Sequence, residues 1–232
     1  KKEAARFFGT PIYLLNCGLG PLFLLLGGGY LLLFPDKLQI LLTIPGMRQQ
    51  LPVMLAAMAA FFLLVASPSS VSISLEGRAI WLLQSAPVTP LAICHAKALF
   101  SLTICLPPMA VALAGVQRAF RLPAGQLAAL GVCCAATALF ASLCGLWCNL
   151  LLPRLDAPND TVVVKQSASV LANMGIGFAL LAVLALLWWL VKVSAALFLT
   201  GASVFVLALC GLMELALLRY GQDKFTELTT KG

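Results

Sequence analysis

Six apolar runs, each close to the length of a bilayer crossing, dictate the architectures open to this chain. A helix needs about 20 mostly apolar residues to cross the hydrocarbon core. The runs are Pro11 to Phe34, Leu51 to Ala66, Leu91 to Val116, Gln126 to Leu152, Ser169 to Val191 and Val193 to Leu218. The second is short and needs flanking residues or a thinned bilayer to complete the crossing. Of the 232 residues, 62% are apolar and 10% charged. Soluble domains carry about 45–50% and 25%, so this apolar excess demands lipid as solvent. The expected fold is all-α and polytopic, with residues 1–232 forming a single transmembrane domain. The chain begins Lys1-Lys2-Glu3 in mid-pattern and reads as a fragment, the C-terminal part of a longer protein.

The connections are punctuated by proline, glycine and charge. Pro35-Asp36-Lys37 opens the first and Pro45 to Gln50 closes it. Leu38 to Ile44, between them, is too short to span and is expected to dip into the interface. Ser67-Pro68-Ser69-Ser70 begins the longest connection, Arg118 to Pro123 forms the third, and Pro153 to Gln166 the fourth. With the N-terminus inside, the inner side holds Lys1, Lys2, Arg6, Arg78, Lys97, Arg154, Lys165, Arg219, Lys224 and Lys231, ten cations. The outer side holds Lys37, Arg48, Arg118, Arg121 and Lys192, five. Cations concentrate on the cytoplasmic side of membrane proteins, so both termini are expected in the cytoplasm, with the chain multi-pass in the cell membrane.

Several chemistries have no footprint. The cations are dispersed, whereas a nucleic-acid surface needs them clustered. The eight cysteines lie almost entirely in apolar runs, without C-x-x-C and without metal-ligand spacing to His95; they read as small hydrophobes, and no metal is expected. Cys144 and Cys148 stand one helical turn apart, the one pair spaced to act together. The fourth run repeats small residues every four positions, Cys134, Ala138 and Ser142 beside Thr137, Ala141 and Gly145. That spacing suits close helix packing in lipid. Trp188-Trp189 fit an interfacial aromatic belt. Gly27-Gly28-Gly29 has no lysine after it and reads as a bend or a close approach rather than a phosphate loop.

Residues 70–88 carry the most information. They are too polar to cross lipid and too apolar for a free loop. Ser74 is placed to cap a helix and Glu76 lies in its first turn. On a helical wheel Leu75, Ala79, Leu82 and Leu83 share one face, while Gly77, Arg78, Trp81, Gln84 and Ser85 share the other. That pattern predicts a short amphipathic helix along the membrane surface, ended by Pro87. It serves either as a linker or as a contact for a partner.

Ser-Leu-Glu-Gly-Arg-x-x-Trp-Leu-Leu-x-Ser-x-Pro-Val, residues 74–88, resembles the cytoplasmic connection of a bacterial family of ABC exporter permeases of type 2. The resemblance continues at Lys97. It recurs in Pro153-Arg154-Leu155-Asp156 with Val164-Lys165-Gln166-Ser167-Ala168-Ser169-Val170, and in Lys2-Glu3 through Tyr13 and Asn16. Leu155 departs from it, standing where that family has an aromatic residue. The resemblance implies a permease that works with a separate cytoplasmic ATPase subunit and with a second permease half or a second copy of itself. It makes 74–86 the coupling helix, with Arg78, Trp81 and Gln84 facing the ATPase and Glu76 pairing nearby. Arg154, Asp156, Lys165 and Gln166 form the matching loop motif. ATP would be bound by the partner; no cofactor and no catalytic residue are expected on this chain.

Two other classes compete. A membrane enzyme would gather Asp156, Asp160, His95 and Glu214 in one pocket. An ion-coupled carrier would need a polar cluster at mid-membrane, where the runs hold little beyond Asn16, Thr103 and hydroxyls. Glu214 is expected to pair with Arg219 or to reach the interface, and Lys97 and His95 to lie at the boundary.

Overall fold

The computed structural model describes residues 2–65 and 67–229. Lys1 and Lys231 of the cation count, and Ala66 at the end of the second apolar run, lie outside the described residues. Nine α-helices occur among those described: α1 Lys2–Gly9, α2 Pro11–Leu33, α3 Met47–Val65, α4 Ile80–Gln84, α5 Pro90–Phe120, α6 Ala124–Leu151, α7 Asp160–Gln166, α8 Ala168–Leu190 and α9 Ala195–Thr226. Six of the helical stretches are long and apolar enough to cross a membrane, containing α2, α3, α5, α6, α8 and α9. The protein is an all-α, multi-pass membrane fold.

Helix ends follow local chemistry. Thr89 caps α5 by accepting from the Ala92 amide, and Pro90 follows at its first position, where the missing N–H costs nothing. This places the start slightly before the predicted Leu91. The helix runs past the predicted Val116 to Phe120, so Arg118 belongs to the helix, and it stops where Arg121 adopts the left-handed conformation at φ 49°. Ser194 caps α9 through the Leu197 amide. That helix continues beyond the predicted Leu218 to Thr226, and its last turns stay packed, with Leu217 and Phe225 buried. The fourth connection is not a plain loop: Asn159 caps α7 through the Val162 amide. Pro35–Thr43 winds as a 3₁₀ segment whose Leu38 and Leu42 pack on the core while Ile40 is exposed, as an interfacial segment should.

The bundle is organised around α6, which packs on α3, α5, α8 and α9. Cys134, Ala138, Ser142, Thr137, Ala141 and Gly145 are all buried, so the small-residue stripes are contact faces. On the other side α2 lies against α5. Here a Cβ on Gly28 would collide with the Ala112 backbone, which makes the glycine run a close approach rather than a bend. By contrast α8 exposes Leu171, Ile176, Phe178, Val183 and Leu186, a surface suited to hydrocarbon. Trp189 is exposed at its end, and Trp188 packs edge-on against Phe198.

With six crossings, the segments flanking α2 and α9 share one end of the bundle. This terminal end also holds the connection from α3 to α5 and the one from α6 to α8. The remaining three connections form the opposite end.

Candidate functional site

The connection after α3 does not leave the protein. Pro68, Ser69, Ser70, Val71, Ser72, Ile73, Ser74 and Leu75 are all buried. Non-helical backbone at this depth survives only if its polar groups find partners within the protein, and serine side chains supply many of them. Ser67 Oγ donates to the Ala141 carbonyl at 3.0 Å and Ser69 Oγ to the Ser142 carbonyl at 2.7 Å. The segment therefore runs down the side of α6. Gly145 makes room for it: a Cβ there would come within 2.5 Å of Ser69 Oγ and 2.9 Å of the Ser70 amide. Tyr13 of α2 donates to the Pro68 carbonyl at 3.0 Å.

Asn149, fully buried on α6, closes the lower end. Its Oδ1 accepts from the amides of Ile73 at 2.7 Å and Ser74 at 3.1 Å. Its Nδ2 donates to Ser74 Oγ at 2.6 Å and to Ser169 Oγ at 3.2 Å. Ser74 Oγ also accepts from the Arg154 amide at 2.9 Å. Ser74 is thus not the cap of a helix. Its hydroxyl is a junction between both connections at this end.

One turn further lies an ion cluster. Lys97 Nζ of α5 stands 3.0 Å from Glu76 Oε1 and 2.7 Å from Glu3 Oε1, and donates to the Ser72 carbonyl at 2.8 Å. Lys2 Nζ meets Glu76 Oε2 at 3.0 Å, and Arg6 Nη1 meets Glu76 Oε1 at 3.1 Å. The Glu76 and Lys97 side chains are 1% and 2% exposed. Both correct the expectations from sequence. Glu76 faces inward rather than toward a partner, and Lys97 is buried rather than interfacial. The cause is reciprocal, since a buried carboxylate and a buried ammonium are each tolerable only beside the other.

The predicted amphipathic helix over 74–86 is broken. Ser74–Ala79 is a 3₁₀ segment interrupted at Gly77, with φ 53° and ψ −141°, and only Ile80–Gln84 is α-helical. Glycine alone takes that conformation without strain. The break resets the helical phase, so Leu82 of the predicted apolar face is exposed, and Ile80 is the residue buried. Two predicted contact residues remain free at the surface. The Arg78 side chain is 89% exposed and makes only a 3.9 Å approach to Asp156 Oδ1; Trp81 is 55% exposed. Gln84 is turned inward, its Nε2 donating to the Phe225 carbonyl of α9 at 2.7 Å.

The second motif meets the first. Besides the Ser74 junction and the Asp156 approach, Arg154 Nη1 donates to the Gln166 carbonyl at 3.2 Å. Arg154, Asp156, Lys165 and the Gln166 side chain are exposed. Elsewhere His95 Nε2 lies 2.7 Å from Glu214 Oε1, so the partner of Glu214 is His95 on α5 and not Arg219. Asp156 and Asp160 sit on the α6–α8 connection, and no pocket described joins them to that pair. Among the described residues, no group of three His, Cys, Asp or Glu side chains could hold a metal ion, and all eight cysteines are free and buried.

Asn149, Glu3, Lys2 and Arg6 were not singled out from sequence as site residues. One signal was available: serine at 67, 69, 70, 72 and 74 is more hydroxyl than a surface linker requires. Comparisons with protein families, curated proteins and solved structures find no match to this chain.

Proposed function

We propose that this chain is the membrane-spanning permease part of an ATP-driven ABC exporter, worked by a separate cytoplasmic ATPase subunit. One observation carries the reading. The connection between α3 and α5 is rooted in the bundle, yet Arg78 and Trp81 at its tip are free. Force applied at that tip reaches α6 through Asn149, α5 through Glu76 and Lys97, and α9 through Gln84. A lever of this kind shifts packed helices between two arrangements, provided the partner contacts it differently in each.

In this reading the ATPase binds and hydrolyses ATP, while this chain supplies no catalytic residue and holds no cofactor. Arg78 and Trp81 make the partner contact, with Arg154, Asp156 and Lys165 beside them. Glu76 and Gln84 transmit rather than touch. The terminal end faces the cytoplasm and the spans lie in the cell membrane, consistent with the ten cations expected at that end against five opposite. A second permease half or a second copy of the chain completes the pathway within the bilayer.

The test is co-purification of the full chain with an ATP-binding cassette subunit. Arg78→Glu combined with Trp81→Ala should abolish capture while leaving the fold intact. Unchanged capture and unchanged transport would remove the lever assignment. The His95–Glu214 pair favours a second reading, an ion-coupled carrier. Transport into proteoliposomes driven by an ion gradient without ATP would favour that reading over the first.

A further inference from the structure

A groove of about 790 Å³ lies between α5, α6 and α9. Its floor is apolar, including Leu139 and Leu143 of α6. Its rim includes Leu99 and Leu207, both exposed on the perimeter of the bundle, so it opens sideways toward hydrocarbon. The His95–Glu214 pair lines the same groove, and Glu214 sits about three turns before α9 ends at Thr226. Ionisable side chains that face an apolar trough in a membrane bundle are rare and by default mark a ligand site or a pathway.

The pair is not closed on itself. His95 engages Oε1 of Glu214, and among the described residues nothing reaches Oε2. The two side chains are 43% and 35% exposed. A carboxylate accepts several hydrogen bonds, so Glu214 presents unspent acceptor capacity beside an apolar trough. No described lysine or arginine lines the groove. A phosphate-bearing headgroup would therefore bring negative charge against Glu214 with no described lysine or arginine in the groove to offset it.

We propose that this groove binds a hydrophobic amine, its ammonium donating to Glu214 and its apolar body lying on the leucines. The volume suits a single-chain or drug-sized molecule, since ligand pockets run about 300–1,000 Å³. That the bound amine is the exported cargo rests on the proposed function; the binding does not.

The test uses the full chain in phosphatidylcholine nanodiscs with a photoreactive dodecylamine, competed by dodecylamine, dodecanol or dodecanoate at matched membrane concentration. Labelling should fall on the segments of α5 and α9 around Leu99 and Leu207. Dodecylamine should displace the probe at least about tenfold better than the alcohol or the acid, the scale of one charge-assisted hydrogen bond. Glu214→Gln should erase that preference. Equal displacement by all three compounds, labelling elsewhere, or a preference that survives the substitution would overturn the proposal. The three-competitor comparison needs no variant, so it decides the matter even if Glu214→Gln does not fold. Failure here would leave ATPase capture through Arg78 and Trp81 untouched.

Discussion

The two ends of the bundle are built on different principles. At the terminal end, acids and bases are interleaved: Glu3, Glu76 and Glu214 meet Lys2, Arg6, Lys97 and His95, and every ion pair found among the described residues lies there. At the opposite end Asp36 is the sole acid, and its Oδ1 accepts from Gln39 Nε2. Lys37, Arg48, Arg118, Arg121 and Lys192 are left to solvent and headgroups. The difference shows that charge does two jobs in one chain. Opposite the termini it marks where lipid ends. At the terminal end it fastens an irregular segment and α1 to the spans, and it leaves Arg78 standing clear.

The contrast is broken most severely at its buried centre. Lys97→Met should destabilise the protein by up to about 3–5 kcal/mol, because it takes away the buried cation between Glu76 and Glu3 and leaves the more exposed Lys2 and Arg6 to hold Glu76 alone. Denaturant titration of the purified chain measures this, and a loss under about 1 kcal/mol would mean that the cluster does not fasten the connection. Asn149→Leu comes next. It strands the Ile73 and Ser74 amides, each at about 1–3 kcal/mol, and should expose the connection to proteolysis while the spans persist. Gly145→Val should cost somewhat less, about 1–3 kcal/mol by overpacking against Ser69, with the connection shifting rather than the spans.

The smallest expected effect sharpens the comparison best. Arg78→Glu should change stability by no more than about 0.5 kcal/mol, the range of exposed sites, and so should Arg118→Gln or Lys192→Gln at the other end. Only the first should alter ATPase capture. Two equally silent ends would make the distinction between them merely architectural.

The spans are legible because length and apolarity alone determine them; their ends are less so, since α5 runs on to Phe120 and α9 to Thr226 through polar residues that hydropathy leaves out. The site was legible in part. Arg78 and Trp81 stand out as exposed polar and aromatic residues in an otherwise apolar chain, and both are at the surface. The partners of Glu76 are not legible, because Lys97 and Lys2 lie far away in sequence and no local pattern announces a pairing across α1 and α5. The wheel misplaces Leu82 because it runs through Gly77, where the backbone turns. Asn149 was overlooked as a single amide inside an apolar run. Its significance rests on meeting the serines of the preceding connection, which only the packing of α6 brings about.

The most direct test asks which side of the membrane the lever tip occupies. Arg78→Cys, in a chain whose own eight cysteines are all buried, is treated with a membrane-impermeant maleimide in intact cells and in inside-out vesicles. Labelling is expected in the vesicles alone, reduced when the ATPase subunit is bound. Labelling in intact cells would place the tip outside and contradict it.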